Sequence, residues 1–184
     1  MNKIIFRKHC LKELKKQKKR SSFLIDKKIQ KKLYKRIEES NAKIIMLYLP
    51  MDIEVDIMPL IVKLRREKRT IFVPFMEGES FRLVKYRMPL ERKKFGIKEP
   101  KYSKQYKPRG IDIAIVPIVG SDPSKRRIGF GKGMYDRFFE REGKNIKKTL
   151  FVTRVLCLSS QVITDDYDIK ADEIITAYKS IKSI

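Results

Sequence analysis

The residues best suited to chemistry form one short run, residues 127–137, which reads Arg-Ile-Gly-Phe-Gly-Lys-Gly-Met-Tyr-Asp-Arg. Its three alternating glycines allow the backbone to come close to a ligand. The residues from Met134 onwards read as the start of a helix, and backbone N–H groups at such a start, approached through glycines, bind phosphate. We therefore predict a polyphosphate site here, with Asp136 placed to hold the magnesium ion that accompanies polyphosphate.

Two better-known phosphate-binding loops do not fit this run. A Walker loop needs Gly-Lys followed by Ser or Thr, whereas Gly131 and Lys132 are followed by Gly133. A dinucleotide-binding fingerprint has its glycines directly after a strand, but the strand-like residues 112–116 end well before Gly129. The remaining alternative is a glycine-rich connector that caps a helix, and the flanking arginine and the Tyr-Asp-Arg end of the run favour a ligand site over it.

Positive charge dominates the composition, since 45 lysines and arginines against 22 acids give the 184 residues a formal net charge of +23. A nucleic-acid-binding module is the first alternative that such a surface raises. The basic residues, however, are spread along the whole chain and do not interleave with aromatic residues as in a base-stacking platform. We expect an anionic small-molecule substrate and no specific nucleic acid partner.

Cysteine and histidine usage excludes several kinds of site. Cys10 and Cys157 lie far apart without the spacing of a zinc site or a disulfide framework, which predicts reduced thiols in the cytosol. His9, in a lysine-rich segment, has nothing local to orient it for nucleophilic catalysis. The longest apolar run, 44–49, is shorter than the ~20 residues of a membrane span, and no signal peptide is evident. The sequence predicts a cytoplasmic protein whose chemistry relies on positioning and electrostatics, as phosphoryl transfer does.

Alternating helix and strand patterns must position the glycine-rich run. Apolar periodicity predicts helices over 3–19, 23–38, 55–67 and 134–142, and strands over 43–49, 70–74, 81–86, 111–116, 150–156 and 173–176. Residues 87–110 read as a long surface excursion. The alternation predicts one domain, residues 1–184, with an α/β fold of three α/β/α layers around an open, mostly parallel sheet. Ligands of such sheets bind beyond the carboxyl ends of the strands, here after residues 49 and 116.

Together with motifs along nearly the whole chain, the glycine-rich run resembles the 5-formyltetrahydrofolate cyclo-ligase family, also called methenyltetrahydrofolate synthetase. The other matching motifs are Lys3-x-x-x-Arg7, Tyr48-Leu49-Pro50, Glu54-Val55-Asp56, Phe95-Gly96-Ile97-x-Glu99-Pro100, Val116-Pro117, Asp122 and Asp168-Ile169-Lys170-Ala171-Asp172. Only the glycine-rich run is specific by itself, and the others gain their value from order and spacing. The chain departs from the family pattern at Ser121, Phe130 and Met134.

The resemblance implies an ATP-dependent ligase that converts 5-formyltetrahydrofolate to 5,10-methenyltetrahydrofolate, releasing ADP and phosphate after phosphorylation of the formyl oxygen. It implies Mg²⁺ as cofactor, with ATP and a reduced folate, with or without a polyglutamate chain, as substrates of an enzyme that we expect to be a monomer. The implied ATP-binding residues are Lys3, Arg7, Arg127, Ile128, Gly129, Phe130, Gly131, Lys132, Gly133, Met134 and Tyr135. The implied folate-binding residues are Arg7, Met51, Glu54, Phe130 and Tyr135, the implied metal ligands Asp136 and Asp168, and the catalytic residues Arg127, Lys132 and Asp136.

Several of these residues also have a purely structural interpretation. Lys3 and Arg7 are one helical turn apart, and a solvated basic face gives the same spacing. Asp168 belongs to an acidic run and suits an ordinary turn, and for Asp56 we prefer a helix-capping or first-turn acid. Glu54, at the carboxyl end of a strand, can accept hydrogen bonds from the amino-pyrimidine edge of a pterin. For the whole protein, the alternative is a basic nucleic-acid-binding module on a degenerate ligase fold.

Overall fold

The structure, a computed structural model, describes residues 2–19, 22–93, 96–102, 108 and 110–182. Phe95 of the 95–100 motif lies outside the described residues. The helices are α1 (Lys3–Lys19), α2 (Ser22–Glu39), α3 (Met58–Arg66) and α4 (Met134–Glu142). The strands are β1 (Ile44–Met46), β2 (Thr70–Glu77), β3 (Ser80–Lys85), β4 (Leu90–Arg92), β5 (Lys98–Pro100), β6 (Ile113–Pro117), β7 (Gly120–Ser121), β8 (Arg127–Ile128), β9 (Thr149–Val152), β10 (Glu173–Ile175) and β11 (Ser180–Lys182).

Seven strands form one sheet in the order β11-β10-β9-β6-β1-β2-β3. The strands from β10 to β2 pair in parallel, whereas β3 and β11 pair antiparallel at the two edges. The predicted open, mostly parallel sheet is confirmed. Two short pairs, β4 with β5 and β7 with β8, lie outside this sheet.

Both faces of the sheet are buried, as successive residues of the central strand β6 show. Ile113 and Ile115 pack in the core that includes α2 and α3, whereas Ala114 and Val116 pack in the core that includes Phe138 of α4. Because side chains along a strand point alternately to opposite faces, a strand covered on both sides is apolar throughout. The layers are helices, sheet and helix, so the predicted three-layer α/β/α architecture is confirmed.

Helix α1 packs in a third apolar cluster, in which Phe6, Cys10 and Leu14 meet Val119 and Ile128 near the carboxyl end of β6. Cys10 forms a disulfide with Cys157, and their Cα atoms are 5.7 Å apart. The prediction of reduced thiols is therefore wrong for this structure. That prediction used spacing along the chain, and a separation of 147 residues says nothing about where the packing of α1 brings the two sulfur atoms.

Most predicted elements are present with shifted ends. Helices α1 and α4 have the predicted bounds, but α3 begins only at Met58, with Pro59 in its first turn, and residues 51–57 form a loop instead. The excursion predicted over 87–110 contains the β4–β5 hairpin, and β11 was not predicted. These strands are short and lack a run of apolar residues, so periodicity does not find them. No helix of the described residues is long and apolar enough to cross a membrane.

Candidate active site

The glycine-rich run, residues 127–137, begins as strand β8, continues as a loop and ends in helix α4. On one side β8 pairs with β7, which follows the carboxyl end of β6. On its other side, the backbone N–H of Arg127 donates to the carbonyl oxygen of Ile169 at 2.8 Å. This second contact brings Asp168 next to the glycine-rich run. Two motifs that are distant along the chain therefore meet beyond the carboxyl ends of the strands, where the sequence predicts ligand binding.

Arg127 is a buried cation at the centre of this site. Its Nε donates to the carbonyl oxygen of Pro117 at 3.1 Å, and its guanidinium lies 4.6 Å from the ring centre of Tyr135. Burial lowers the pKa of Arg127, and neighbouring groups partly oppose that shift. The groups that oppose it are Asp136, Tyr135, Glu54 and Asp168. Residues predicted for ATP, metal and folate therefore surround one guanidinium.

The glycines of the run give room to arginine side chains. A Cβ atom at Gly129 would overlap the Arg127 guanidinium, and one at Gly131 would lie 3.2 Å from Nη1 of Arg7. Gly131 also has a φ of +93°, a conformation that side chains rarely allow. Arg7 in turn donates from Nε to the carbonyl oxygen of Gly129 at 2.8 Å. Helix α1 therefore shapes the loop, and arginine side chains occupy the space beside glycines for which the sequence predicts close approach by a ligand.

Helix α4 starts at the end of this loop with its first N–H groups available. Gly133 precedes the helix with a φ of +62°, and among the described residues no side chain caps its first turn. Arg137 donates from Nη2 to the carbonyl oxygen of Lys132 at 2.6 Å and from Nε to that of Glu79 at 2.9 Å. These two bonds hold the loop against the β2–β3 turn, and the helix start remains suited to an anion.

Asp136, in the first turn of α4, has one carboxylate oxygen without a partner. Its Oδ2 lies 3.9 Å from Nη1 of Arg127, whereas its buried Oδ1 accepts no hydrogen bond within the described part of the chain. Leaving a buried acceptor unsatisfied costs about 1–3 kcal/mol. This atom is therefore placed for a donor or cation that the chain itself does not supply, which fits the predicted metal ligand.

Asp168, the second predicted metal ligand, contacts Lys3, a predicted ATP residue. Oδ2 of Asp168 accepts a short hydrogen bond from Nζ of Lys3 and a second from the backbone N–H of Asp165 at 2.7 Å. Nζ of Lys3 also lies 2.9 Å from Oδ2 of Asp165. Burial opposes the charge of Lys3, but the hydrogen bonds to the two carboxylates outweigh burial and raise the pKa of Lys3. Lys3 is therefore not part of a solvated face.

The described residues do not form a complete protein cage for a metal ion. Within the described ranges, no group of three or more His, Cys, Asp or Glu residues is arranged to hold a metal ion. Asp136 and Asp168 could thus supply only part of a coordination shell. That is the usual situation for Mg²⁺, which keeps several waters and takes other ligands from substrate phosphates.

Asp122 holds the segment that carries Asp168, although it was noted in the sequence only as a motif position. The fully buried carboxylate accepts hydrogen bonds from both N–H and Oγ of Ser124, from the N–H of Ile163, and from both N–H and Oγ1 of Thr164. Burial would raise the pKa of Asp122, but these hydrogen bonds outweigh it and lower the pKa to about 2. An ionised Asp122 therefore fixes the start of the segment that leads to Asp168.

Glu54 lies in the 51–57 loop, and its charge interacts with that of Arg127. Its Oε2 accepts a hydrogen bond from the N–H of Met51 at 2.8 Å. Burial raises the pKa of Glu54 to about 7, against the opposing effects of that hydrogen bond and of the charges of Arg127 and Arg154. Burial and the charge of Glu54 also raise the pKa of Tyr135. The residues predicted for folate are therefore neighbours of the residues predicted for phosphate.

Three further sequence assignments concern residues at the edges of the site. Phe130 is half-buried and packs in the apolar cluster of α1, beside Ile128, whose side chain is fully buried. Ligand contact by Phe130 therefore stays a prediction, and Ile128 has only its backbone to offer. Asp56 accepts a hydrogen bond at Oδ1 from the N–H of Met58 at 2.9 Å, which agrees with the preferred role of an acid at the start of α3.

Comparisons with known proteins agree with this site. The sequence profile of the 5-formyltetrahydrofolate cyclo-ligase family matches residues 1–177. The 5-formyltetrahydrofolate cyclo-ligase of Haemophilus influenzae is 31% identical over 108 residues, which are 55% of this chain and 58% of that protein. The enzyme of that name from Mus musculus is 25% identical over 151 residues, 73% of each chain.

Solved structures share the fold over nearly the whole chain. The NMR structure of 5,10-methenyltetrahydrofolate synthetase from Aquifex aeolicus has a TM-score of 0.79 and 29% identity, and the alignment covers 99% of this chain and 93% of that chain. The 5,10-methenyltetrahydrofolate synthetase from Mycoplasma pneumoniae has a TM-score of 0.73 at 22% identity, covering 96% and 99%. The chain belongs to the 5-formyltetrahydrofolate cyclo-ligase family.

Proposed function

We propose that this protein catalyses the ATP-dependent conversion of 5-formyltetrahydrofolate to 5,10-methenyltetrahydrofolate, with release of ADP and phosphate. The observation that carries the proposal is the convergence on Arg127. Its guanidinium lies 4.6 Å from the ring centre of Tyr135 and 3.9 Å from the carboxylate of Asp136, and its backbone N–H bonds to the 168–172 motif at Ile169. The charge of Glu54, in the 51–57 loop, also interacts with it. Membership of the family supports the same reaction. The proposal places a monomeric enzyme in the cytoplasm, without a nucleic acid partner.

The chemistry requires an activated oxygen. A formyl amide oxygen is a poor leaving group, because the amide is resonance-stabilised and the oxygen would leave as a strong base. Transfer of the γ-phosphoryl group of ATP to this oxygen gives an iminophosphate. The neighbouring folate nitrogen then attacks the activated carbon, its proton is lost to solvent, and phosphate departs with the oxygen.

The positive groups of the site are suited to the phosphoryl transfer. Arg127 and Lys132, with the uncapped start of α4, would stabilise charge on the transferring group, as electrostatic catalysis of this step requires. Arg7 and Lys3, both on α1, would bind further phosphate oxygens. The backbone N–H groups of the glycine-rich run are assigned the same role.

Asp136 and Asp168 are the residues that would hold Mg²⁺. When bound, Mg²⁺ neutralises charge on the phosphates of ATP. The unpartnered Oδ1 of Asp136 supports this assignment, because a buried carboxylate oxygen is otherwise costly to leave unsatisfied. In this structure Asp168 pairs with the ammonium group of Lys3, so its carboxylate interacts with a positive charge at the place where we propose the metal ion.

Glu54 is the residue that we assign to the pterin. As a carboxylate it accepts two hydrogen bonds, which matches the two N–H donors on one edge of an amino-pyrimidine. Met51, Phe130 and Tyr135 would contribute apolar contacts around the ring, and Arg7 would lie near the folate. Burial raises the pKa of Glu54 to about 7, so the carboxylate form needed for this contact is only about half populated at pH 7 and increases above it.

The test is a direct assay of the purified protein. It combines 5-formyltetrahydrofolate, Mg²⁺ and ATP and follows the absorbance of the methenyl product. Product formation that requires hydrolysable ATP and stops with a β,γ-imido analogue is the expected result. Absence of any ATP-dependent product, with folded protein, would refute the proposed function.

A further inference from the structure

An ion pair outside the residues assigned above is buried between α2 and the sheet. The side chains of Asp26 on α2 and Arg154, which follows β9, are only 5% and 4% exposed. Nε and Nη2 of Arg154 donate to Oδ1 and Oδ2 of Asp26, both at 2.8 Å, which is the strong bidentate geometry. Removing two charges from water commonly costs as much as their attraction returns, so stability alone does not account for this pair.

Both members of the pair also contact the 51–57 loop. Oδ2 of Asp26 accepts a hydrogen bond from the N–H of Asp56 at 3.0 Å, and Nη1 of Arg154 donates to the carbonyl oxygen of Asp52 at 3.3 Å. These two contacts fall on either side of Glu54 along the chain. A third comes from Gln30, one turn after Asp26, whose Nε2 donates to the carbonyl oxygen of Asp56 at 2.6 Å.

The loop has little regular structure of its own to orient Glu54. The N–H of Glu54 donates to the carbonyl oxygen of Met51 at 3.0 Å, and the Glu54 carboxylate accepts a hydrogen bond from the N–H of Met51. Both hydrogen bonds therefore stay inside the loop. The direction of the carboxylate is therefore set by how the loop as a whole is held. A group that recognises a substrate edge must be fixed to within about 0.5 Å, and the buried pair supplies that support.

We propose that Asp26 and Arg154 are positioning residues that hold the 51–57 loop so that Glu54 meets the folate substrate. The inference rests on the proposed function. Both residues act through backbone groups of the 51–57 loop, whereas the predicted phosphate contacts lie on α1 and in the glycine-rich run. Loosening the pair should therefore weaken the use of folate much more than the use of ATP.

The experiment compares Asp26→Asn and Gln30→Ala with a matched control at a second buried carboxylate that pairs with an arginine of α2. Glu173→Gln is the control, because Glu173 is 1% exposed and also accepts a bidentate pair of hydrogen bonds from an arginine of α2, Arg36. For Asp26→Asn we expect the KM for 5-formyltetrahydrofolate to rise about tenfold, because one net hydrogen bond corresponds to about this factor in binding. The KM for ATP should stay within about twofold of the wild-type value. Gln30→Ala should show a smaller rise in the same KM, and Glu173→Gln none.

Hydrogen exchange of the substrate-free proteins provides a readout that does not depend on activity. Amides of 51–57 should exchange faster in Asp26→Asn and Gln30→Ala, and at the wild-type rate in Glu173→Gln. If Asp26→Asn does not fold, Gln30→Ala, which changes a half-buried residue, carries the same comparison. Wild-type protein without turnover refutes the proposed function. If the wild-type protein is active, two results overturn this inference alone. One is an unchanged folate KM in Asp26→Asn and Gln30→Ala, and the other is an equal rise in the KM values for folate and ATP.

Discussion

The Glu54 carboxyl group should destabilise the protein at the pH at which its carboxylate form is proposed to bind folate. The variant Glu54→Gln separates this effect on stability from the effect on activity. The pKa of Glu54 is raised from 4.5 to about 7, mainly by burial, so the folded state binds the proton more tightly than the unfolded chain does. The resulting stabilisation is fully present below the unfolded pKa and is lost as the pH rises through 7. At about 1.4 kcal/mol per pKa unit the loss is ~3 kcal/mol, which screening of this partly exposed group reduces to ~2 kcal/mol.

We therefore expect Glu54→Gln to be more stable than wild type by ~2 kcal/mol at pH 8 and nearly equal to it at pH 4. Urea unfolding of both proteins at the two pH values measures this difference in unfolding free energy. The other titrating groups are the same in both proteins, so their contributions cancel. Glu140→Gln, at an exposed position on α4, reports the effect of removing one negative charge. A difference in unfolding free energy that does not grow with pH, or a variant that is less stable at pH 8, would refute the reasoning.

Activity should move in the opposite direction from stability. Glutamine offers one acceptor and one donor where the carboxylate offers two acceptors, so the folate KM should rise about tenfold or more while the ATP KM stays near wild type. In wild type, the rate at low folate should increase as the pH rises through 7. The charged and titratable groups that face Glu54 are Arg127, Arg154, Tyr48 and Tyr135. Loss of the pH dependence in the glutamine variant would assign it to Glu54.

Three further variants test the phosphate side of the site. Asp136→Asn should fold normally but lose about 10²-fold or more in turnover, whereas near-normal turnover with an unchanged Mg²⁺ requirement would make Asp136 only a helix-end acid. Gly131→Ala should raise the ATP KM in substrate titrations. A side chain at a φ of +93° costs about 1–2 kcal/mol, and the added Cβ atom would also contact Arg7. An unchanged ATP KM would contradict this prediction. Asp122→Asn should destabilise the protein by ~2 kcal/mol at pH 7, since its pKa is lowered from 3.8 to about 2. That stabilisation is lost as the pH falls through 2, so a urea-unfolding difference that does not shrink between pH 5 and pH 2 would count against it.

The architecture and the glycine-rich run could be predicted because each depends on local pattern. Strands such as β6 are apolar at every position, which in an alternating chain indicates a sheet covered on both faces. Helix α4 has its predicted bounds because Gly133, in a left-handed conformation, directly precedes it. Arg127 and Asp136 likewise came from one continuous stretch of sequence.

What could not be predicted depends on contacts between distant segments. The glycines indicated close approach, but only the fold shows that Arg7 and Arg127 occupy the space beside them. The disulfide of Cys10 follows from the packing of α1, which no spacing along the chain encodes. Asp26 and Arg154 lie in segments that carried no motif, although an acid on the apolar face of α2, beside Ile25 and Ile29, was a usable sign of a buried partner.

The contact between Lys3 and Asp168 has a consequence for biosynthesis, because 165 residues separate its two members. Translation adds about 5–20 residues per second, so Lys3 is added to the chain about 8–33 s before Asp168. During that interval most of the parallel sheet can form, but the proposed nucleotide site lacks Asp168. If the proposed nucleotide site is correct, we expect stabilisation of the protein by ATP to begin only after synthesis is almost complete.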